Sequence, residues 1–131
     1  MTSTSAPRKI PGTIASASDA ATLTVLRESL GEEVLRQILK ERLGDINANC
    51  ERLQVAARRA KWPAAADIAA DIADQSANLG FRTLTGAARS FAAATDAKLD
   101  VHTLRNGAQM IVFEYERLRL AIAVEYPDLL V

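Results

Sequence analysis

The sequence predicts an all-α protein, an antiparallel four-helix bundle with an additional short N-terminal helix. Three observations carry that expectation. Alanine, leucine, arginine and glutamate, all good helix formers, dominate the chain after about residue 17. Apolar residues recur at steps of three and four through several long segments, which is the spacing of one helix face. No segment alternates apolar and polar residues with β-branched enrichment, so no strand is expected.

The first 17 residues, "MTSTSAPRKIPGTIASA", are rich in Ser, Thr, Pro and Gly and read as a flexible tail; residues 18–131 read as the bundle. A short helix is expected from Ser18 or Asp19, either of which can cap it, to just before Gly31. The next begins with Glu32 and Glu33, whose charges suit a helix N-terminus. Its inward face is expected to carry Leu35, Leu39, Ile46, Cys50, Leu53, Ala57 and Ala60, with Arg42 or Leu43 between, over about 28 residues. Trp62-Pro63 breaks that helix and opens another, since proline is tolerated in a first turn. Ala65, Ile68, Ala69, Ile72, Ser76 and Leu79 share its inner face, Gly80 fits its stop, and Phe81 can fold back onto the last turn. The fourth helix turns Leu84, Ala87, Ala88 and Phe91 inward. A fifth follows Asp100, a plausible N-cap, with Leu104, Ala108, Ile111, Tyr115, Leu118 and Ile122 inward, and Pro127 closes it. Its second apolar row, Met110, Phe113, Leu120 and Val124, has two open readings: it packs the short first helix, or it is a homodimer face.

Composition narrows the function classes. The chain has 131 residues, enough for one domain, and 49% hydrophobic residues, enough for a sizeable core. Lys plus Arg and Asp plus Glu number 16 each, which argues against a nucleic-acid or anionic-membrane surface built on net charge. No apolar run approaches the roughly 20 residues of a membrane span. The N-terminus lacks the apolar stretch of a secretory signal, so a cytoplasmic location is expected. One cysteine, Cys50, excludes an internal disulfide and a cysteine-based metal site. With one histidine, one cysteine and no glycine-rich phosphate loop, no catalytic constellation assembles; no enzyme activity, cofactor or metal is expected.

The third helix carries one unusual surface. Asp67, Asp71 and Asp74 stand at i, i+4 and i+7, stacking three carboxylates on one face at a cost of roughly 0.2–0.5 kcal/mol per pair in an isolated helix. A solvated acidic face and a partner-selecting face are the two readings. Arg58, Arg59 and Lys61 either answer the dipole of the long helix or form a phosphate-binding patch. Trp62 reads as a lid on the bundle end or as an interface anchor.

The phrase "DIADQSANLG" at 71–80, with Leu84 one turn beyond it and "SLGEEVLRQIL" at 29–39, resembles the histidine phosphotransfer (Hpt) domains of bacterial phosphorelays, over about residues 19–126. Those domains carry H-x-x-K-G-x-x-x-x-x-G on a core helix. With Gly80 on the final glycine, Ala70 takes the histidine's place, Ala73 the lysine's and Asp74 the inner glycine's. Ile72, Ser76, Ala77, Asn78, Leu79 and Gly80 match. The resemblance implies a four-helix bundle of Hpt type without a phosphoacceptor, since a phosphoramidate needs an imidazole nitrogen and alanine has none. It further implies a response-regulator receiver domain or histidine kinase as partner, bound through Asp67, Ala70, Asp71, Ala73, Asp74 and Asn78, without phosphate being carried. The family's docking surface is mostly apolar, and Ala66, Ala70, Ala73 and Ala77 are small enough to accept a partner helix. "HTLRNG" at 102–107 is close to the first half of the motif, so phosphotransfer through His102 is the alternative; Val112 stands where that register needs a glycine.

Overall fold

Residues 17–129 are described by a computed structural model. The expected tail therefore lies outside the described residues, except for Ala17, which is the first residue of a helix. Five α-helices follow in order: α1 (Ala17–Leu30), α2 (Glu32–Arg58), α3 (Trp62–Leu79), α4 (Arg82–Asp96) and α5 (Val101–Glu125). A 3₁₀ turn, Pro127–Leu129, ends the described chain. Among the described residues there is no strand, and no helix is long and apolar enough to cross a membrane.

Short connections force consecutive helices to run antiparallel, and the packing closes a ring: α2 on α3, α3 on α4, α4 on α5, α5 back on α2. The inward stripes are those the periodicity predicts. Leu35, Leu39, Ile46, Leu53, Ala65, Ala69, Ile72, Ser76 and Ile111 are fully buried, and Leu43 rather than Arg42 fills the gap on α2. Asp100 caps α5, its carboxylate accepting from the Thr103 N–H at 2.9 Å.

Ala60 departs from expectation. It is exposed and sits in the turn after α2 with φ +56°. The Lys61 N–H reaches back to the Ala56 carbonyl and the Ala60 N–H to that of Ala57, the paired bonds of a Schellman stop. A left-handed residue leaves the helical register, so the three-four spacing that placed Ala60 inside ends one residue earlier. Gly80 performs the same stop for α3 at φ +84°, with Phe81 N–H to Ser76 C=O and Gly80 N–H to Ala77 C=O. A Cβ at Gly80 would also come within 3.2 Å of the Thr22 Cγ2 on α1. Gly80→Ala is therefore expected to cost about 1–2 kcal/mol in urea unfolding, while Ala60→Gly, relieving the same strain in open surroundings, gains up to ~1 kcal/mol. Equal effects of the two substitutions would refute this account.

The short first helix packs across one end of the bundle, where the α3–α4 turn, the start of α2 and the end of α5 meet. Leu23 is its buried anchor, and the Thr22 hydroxyl donates to the Gly80 carbonyl at 3.3 Å. Tyr126, 1% exposed, is the other side of this joint. Its ring lies beneath the guanidinium groups of Arg27 and Arg36 at 5.6 and 5.1 Å, and its hydroxyl accepts from Arg27 and donates to Glu32. Glu125 and Asp128 pair with Arg27 and Arg36 respectively.

That docking leaves the second apolar row of α5 uncovered, which corrects the reading in which α1 packs it. Met110, Phe113, Leu120 and Val124 are 50, 54, 39 and 78% exposed. The row points directly away from the core, and α1 meets α5 at its C-terminal end and at the following turn instead.

Candidate functional site

At 100° per residue, the buried residues of α3 define its inner side and leave an outward face running its whole length. Asp67, Asp74 and Asn78 fall along the middle of that face, Asp71 on one flank and Ala70 on the other. All five are exposed. The flank of Asp71 is the α2 side, because Ile68 lines a groove with Arg52 and Val55 of α2. The flank of Ala70 is the α4 side, because Ala66 lines a groove with Thr95 and Asp96 near the end of α4.

Ala73 does not belong to this surface. It is 3% exposed, seven residues on from Ala66 and hence in the α3–α4 seam. A surface role for Ala73 fails because the helix is rotated so that the α3–α4 contact takes in position 73 as well as 69 and 76. Of the small residues expected to accept a partner helix, Ala70 and Ala77 are exposed and Ala66 is half-buried.

The face is closed off on the α2 side by a polar chain that the sequence did not announce. Asn49, 6% exposed, donates through its amide to Gln75 of α3 at 3.1 Å and accepts from Arg52 at 2.9 Å. Asn49 adjoins Cys50 on the stripe of α2, so its burial was within reach of the periodicity; its pairing with Gln75 depends on how the two helices are placed.

Each residue of the phrase at 76–80 has a definite place in the structure. The Ser76 hydroxyl is fully buried, within hydrogen-bond reach of the Ile72 carbonyl at 2.8 Å and of the Thr85 hydroxyl of α4 at 2.7 Å. Leu79 is core, and Gly80 makes the left-handed turn. Ala77 and Asn78 alone point outward.

Chemically the face offers carboxylates, one amide and alanine methyls. Asp67 also lines the groove of about 430 Å³ at the bundle end, beside Trp62 and Lys98. Trp62 is half-buried there, edge-on to Phe91 with ring centroids 6.5 Å apart, as a lid on the bundle end would be. Among the described residues no cluster of three or more His, Cys, Asp or Glu side chains is placed to hold a metal ion. His102 is exposed in the first turn of α5, with its ring nitrogen 3.4 Å from the Asn106 amide. Cys50 lies in the core with its thiol pushed up to about 12 by burial, so it is held as the protonated, unreactive form at neutral pH. Compared with known proteins, the chain matches no family model, no curated protein and no solved structure.

Proposed function

We propose that this protein is a degenerate Hpt domain. It binds a receiver domain or a histidine kinase through the outward face of α3 and modulates phosphate flow without carrying phosphate. One observation carries the reading: in the register set by the phrase at 71–80, the position of the family's acceptor histidine is exposed on the outward face of α3, and it is alanine. An exposed methyl leaves room for a partner and supplies no nitrogen for a phosphoryl group.

The docking residues on this reading are Asp67, Ala70, Asp71, Asp74 and Asn78; Ala73 is removed from the set by its burial. The carboxylates select the partner by charge. A receiver's phosphorylation pocket is itself acidic, so the acidic stripe meets basic groups around that pocket, or on a kinase, and not the pocket itself.

The experiment is a binding titration of the full chain against receiver domains and kinases from its own organism. Wild type is expected to bind at least one of them, and Asp71→Lys with Asp74→Lys to abolish that binding while the helical circular dichroism is retained. Binding that survives the double charge reversal, or no binding to any such partner, ends the reading.

A second reading, self-association, is favoured by the uncovered row of α5. Under a twofold axis near Arg117, Met110 meets Val124 of a second copy and Phe113 meets its Leu120, because the row is symmetric about that point. Sedimentation equilibrium decides it: a dimer that dissociates on Phe113→Asp supports self-association, and a monomeric wild type rejects it.

A further inference from the structure

The seam between α2 and α5 holds a groove of about 560 Å³, within the usual range of small-molecule sites. Its origin is in the residues that face each other there. Ala57 of α2 and Ala108 of α5 are both core positions, and two methyl groups across a helix–helix seam leave a gap that larger side chains would fill. Val112 continues the apolar floor one turn further along α5.

The rim is polar and ordered by charge. Gln54 and Arg58 stand one turn apart on α2, and Arg105 and Gln109 one turn apart on α5. The helices are antiparallel, so Arg58 at the end of α2 lies level with Arg105 near the start of α5, and the two glutamines lie level beyond them. No carboxylate lines the groove, and among the described residues neither guanidinium has a hydrogen-bond or ion-pair partner. A cation at the C-terminus of α2 suits the helix dipole, but nothing in the electrostatics of α5 calls for one at its fifth residue. Both guanidinium groups are exposed at the rim of one groove, and an anion held between them would give each a partner.

We propose that this groove binds a phosphate monoester with a small apolar body: the phosphate between Arg58 and Arg105, the body on Ala57, Ala108 and Val112, and the two glutamines meeting polar groups at its far end. Phosphate is favoured over carboxylate because two guanidinium groups match a charge of about −1.5 to −2, and each can take two oxygens in a bidentate fork. The site lies on different helices from the outward face of α3 and stands whether or not that face binds a partner.

The test is isothermal titration of the full chain with phenyl phosphate, inorganic phosphate and benzoate, with amide NMR to locate the site. Phenyl phosphate is expected to bind saturably and shift the amides of Ala57, Ala108 and Val112. Inorganic phosphate, lacking the body, is expected to bind roughly tenfold more weakly. Arg58→Gln and Arg105→Gln are each expected to weaken phenyl phosphate by roughly tenfold or more. Arg59→Gln is the control: it is adjacent in sequence but lines the groove on the α3 side of α2, and is expected to leave binding unchanged. Any of four outcomes overturns the proposal: no saturable binding, an Arg59→Gln loss equal to that of Arg58→Gln, inorganic phosphate binding as tightly as the ester, or benzoate binding more tightly than it.

Discussion

On the proposed docking role of α3, Ala70→His is expected to give the protein a phosphoacceptor. The position is exposed, so an imidazole fits without displacing core, and histidine in place of alanine costs a helix roughly 0.5 kcal/mol. If the outward face of α3 docks a receiver, the new nitrogen stands where the receiver's phosphoryl group is delivered, and proximity is what the docked face contributes to transfer. The reaction is expected to be slow. Position 73 offers no lysine to hold the phosphoryl oxygens, and Asp74 lies one turn away with a negative charge that repels them. Asp74→Gly added to Ala70→His should therefore raise the rate, although glycine in mid-helix costs about 1 kcal/mol. The measurement is label transferred from a phosphorylated receiver and tested for acid lability. Wild type and His102→Ala are both expected to stay unlabelled. Label on wild type that disappears in His102→Ala would move the chemistry to α5. A folded Ala70→His protein that binds a receiver yet takes no label would show that the acceptor register is misplaced.

How far the sequence led can be judged at particular residues. The five helices and nearly all of their inward stripes were legible because burial follows the 3.6-residue period, and that period is written in which residues are apolar. Helix stops were legible where glycine makes them, as at Gly80, and illegible at Ala60, which adopts the same left-handed conformation without the residue type that signals it. Ala73 shows the limit of the face assignment. A helix has no sharp boundary between inside and outside, and a rotation of a few tens of degrees decides which alanine is covered. Groups from two helices were the least legible. The Asn49–Gln75 bond and the Arg58–Arg105 groove depend on relative placement, which no single segment's pattern records. The uncovered row of α5 lies between these cases: its apolar character was plain, and the failure of α1 to cover it follows from Leu23 and Tyr126 holding α1 at the bundle end.

The phrase at 71–80 and the corner residue that follows it can be divided by stability. Phe81, 0% exposed, stands at the α3–α4 corner immediately after Gly80, and its carbonyl accepts from the Thr85 hydroxyl at 2.9 Å. Phe81→Ala removes a buried aromatic from the point where α3, α4 and the turn meet, and is expected to cost about 3–5 kcal/mol. Against a total of about 5–15 kcal/mol for a domain of this kind, that loss shifts the urea midpoint well below that of wild type. Asn78→Ala, two residues before Gly80 on the exposed face, is expected to change stability by no more than ~0.5 kcal/mol. Comparing the two variants separates a folding role from a binding role within these residues. Ser76, Leu79, Gly80 and Phe81 are held by packing, hydrogen bonding and backbone geometry, so their presence speaks for the bundle and is silent on activity. Asn78 has no such anchor. A binding titration in which Asn78→Ala weakens the partner while leaving the urea midpoint in place would assign that residue to recognition. A stability loss at Asn78 comparable to that at Phe81 would instead make the whole phrase a folding signal, and would remove Asn78 from the proposed docking face.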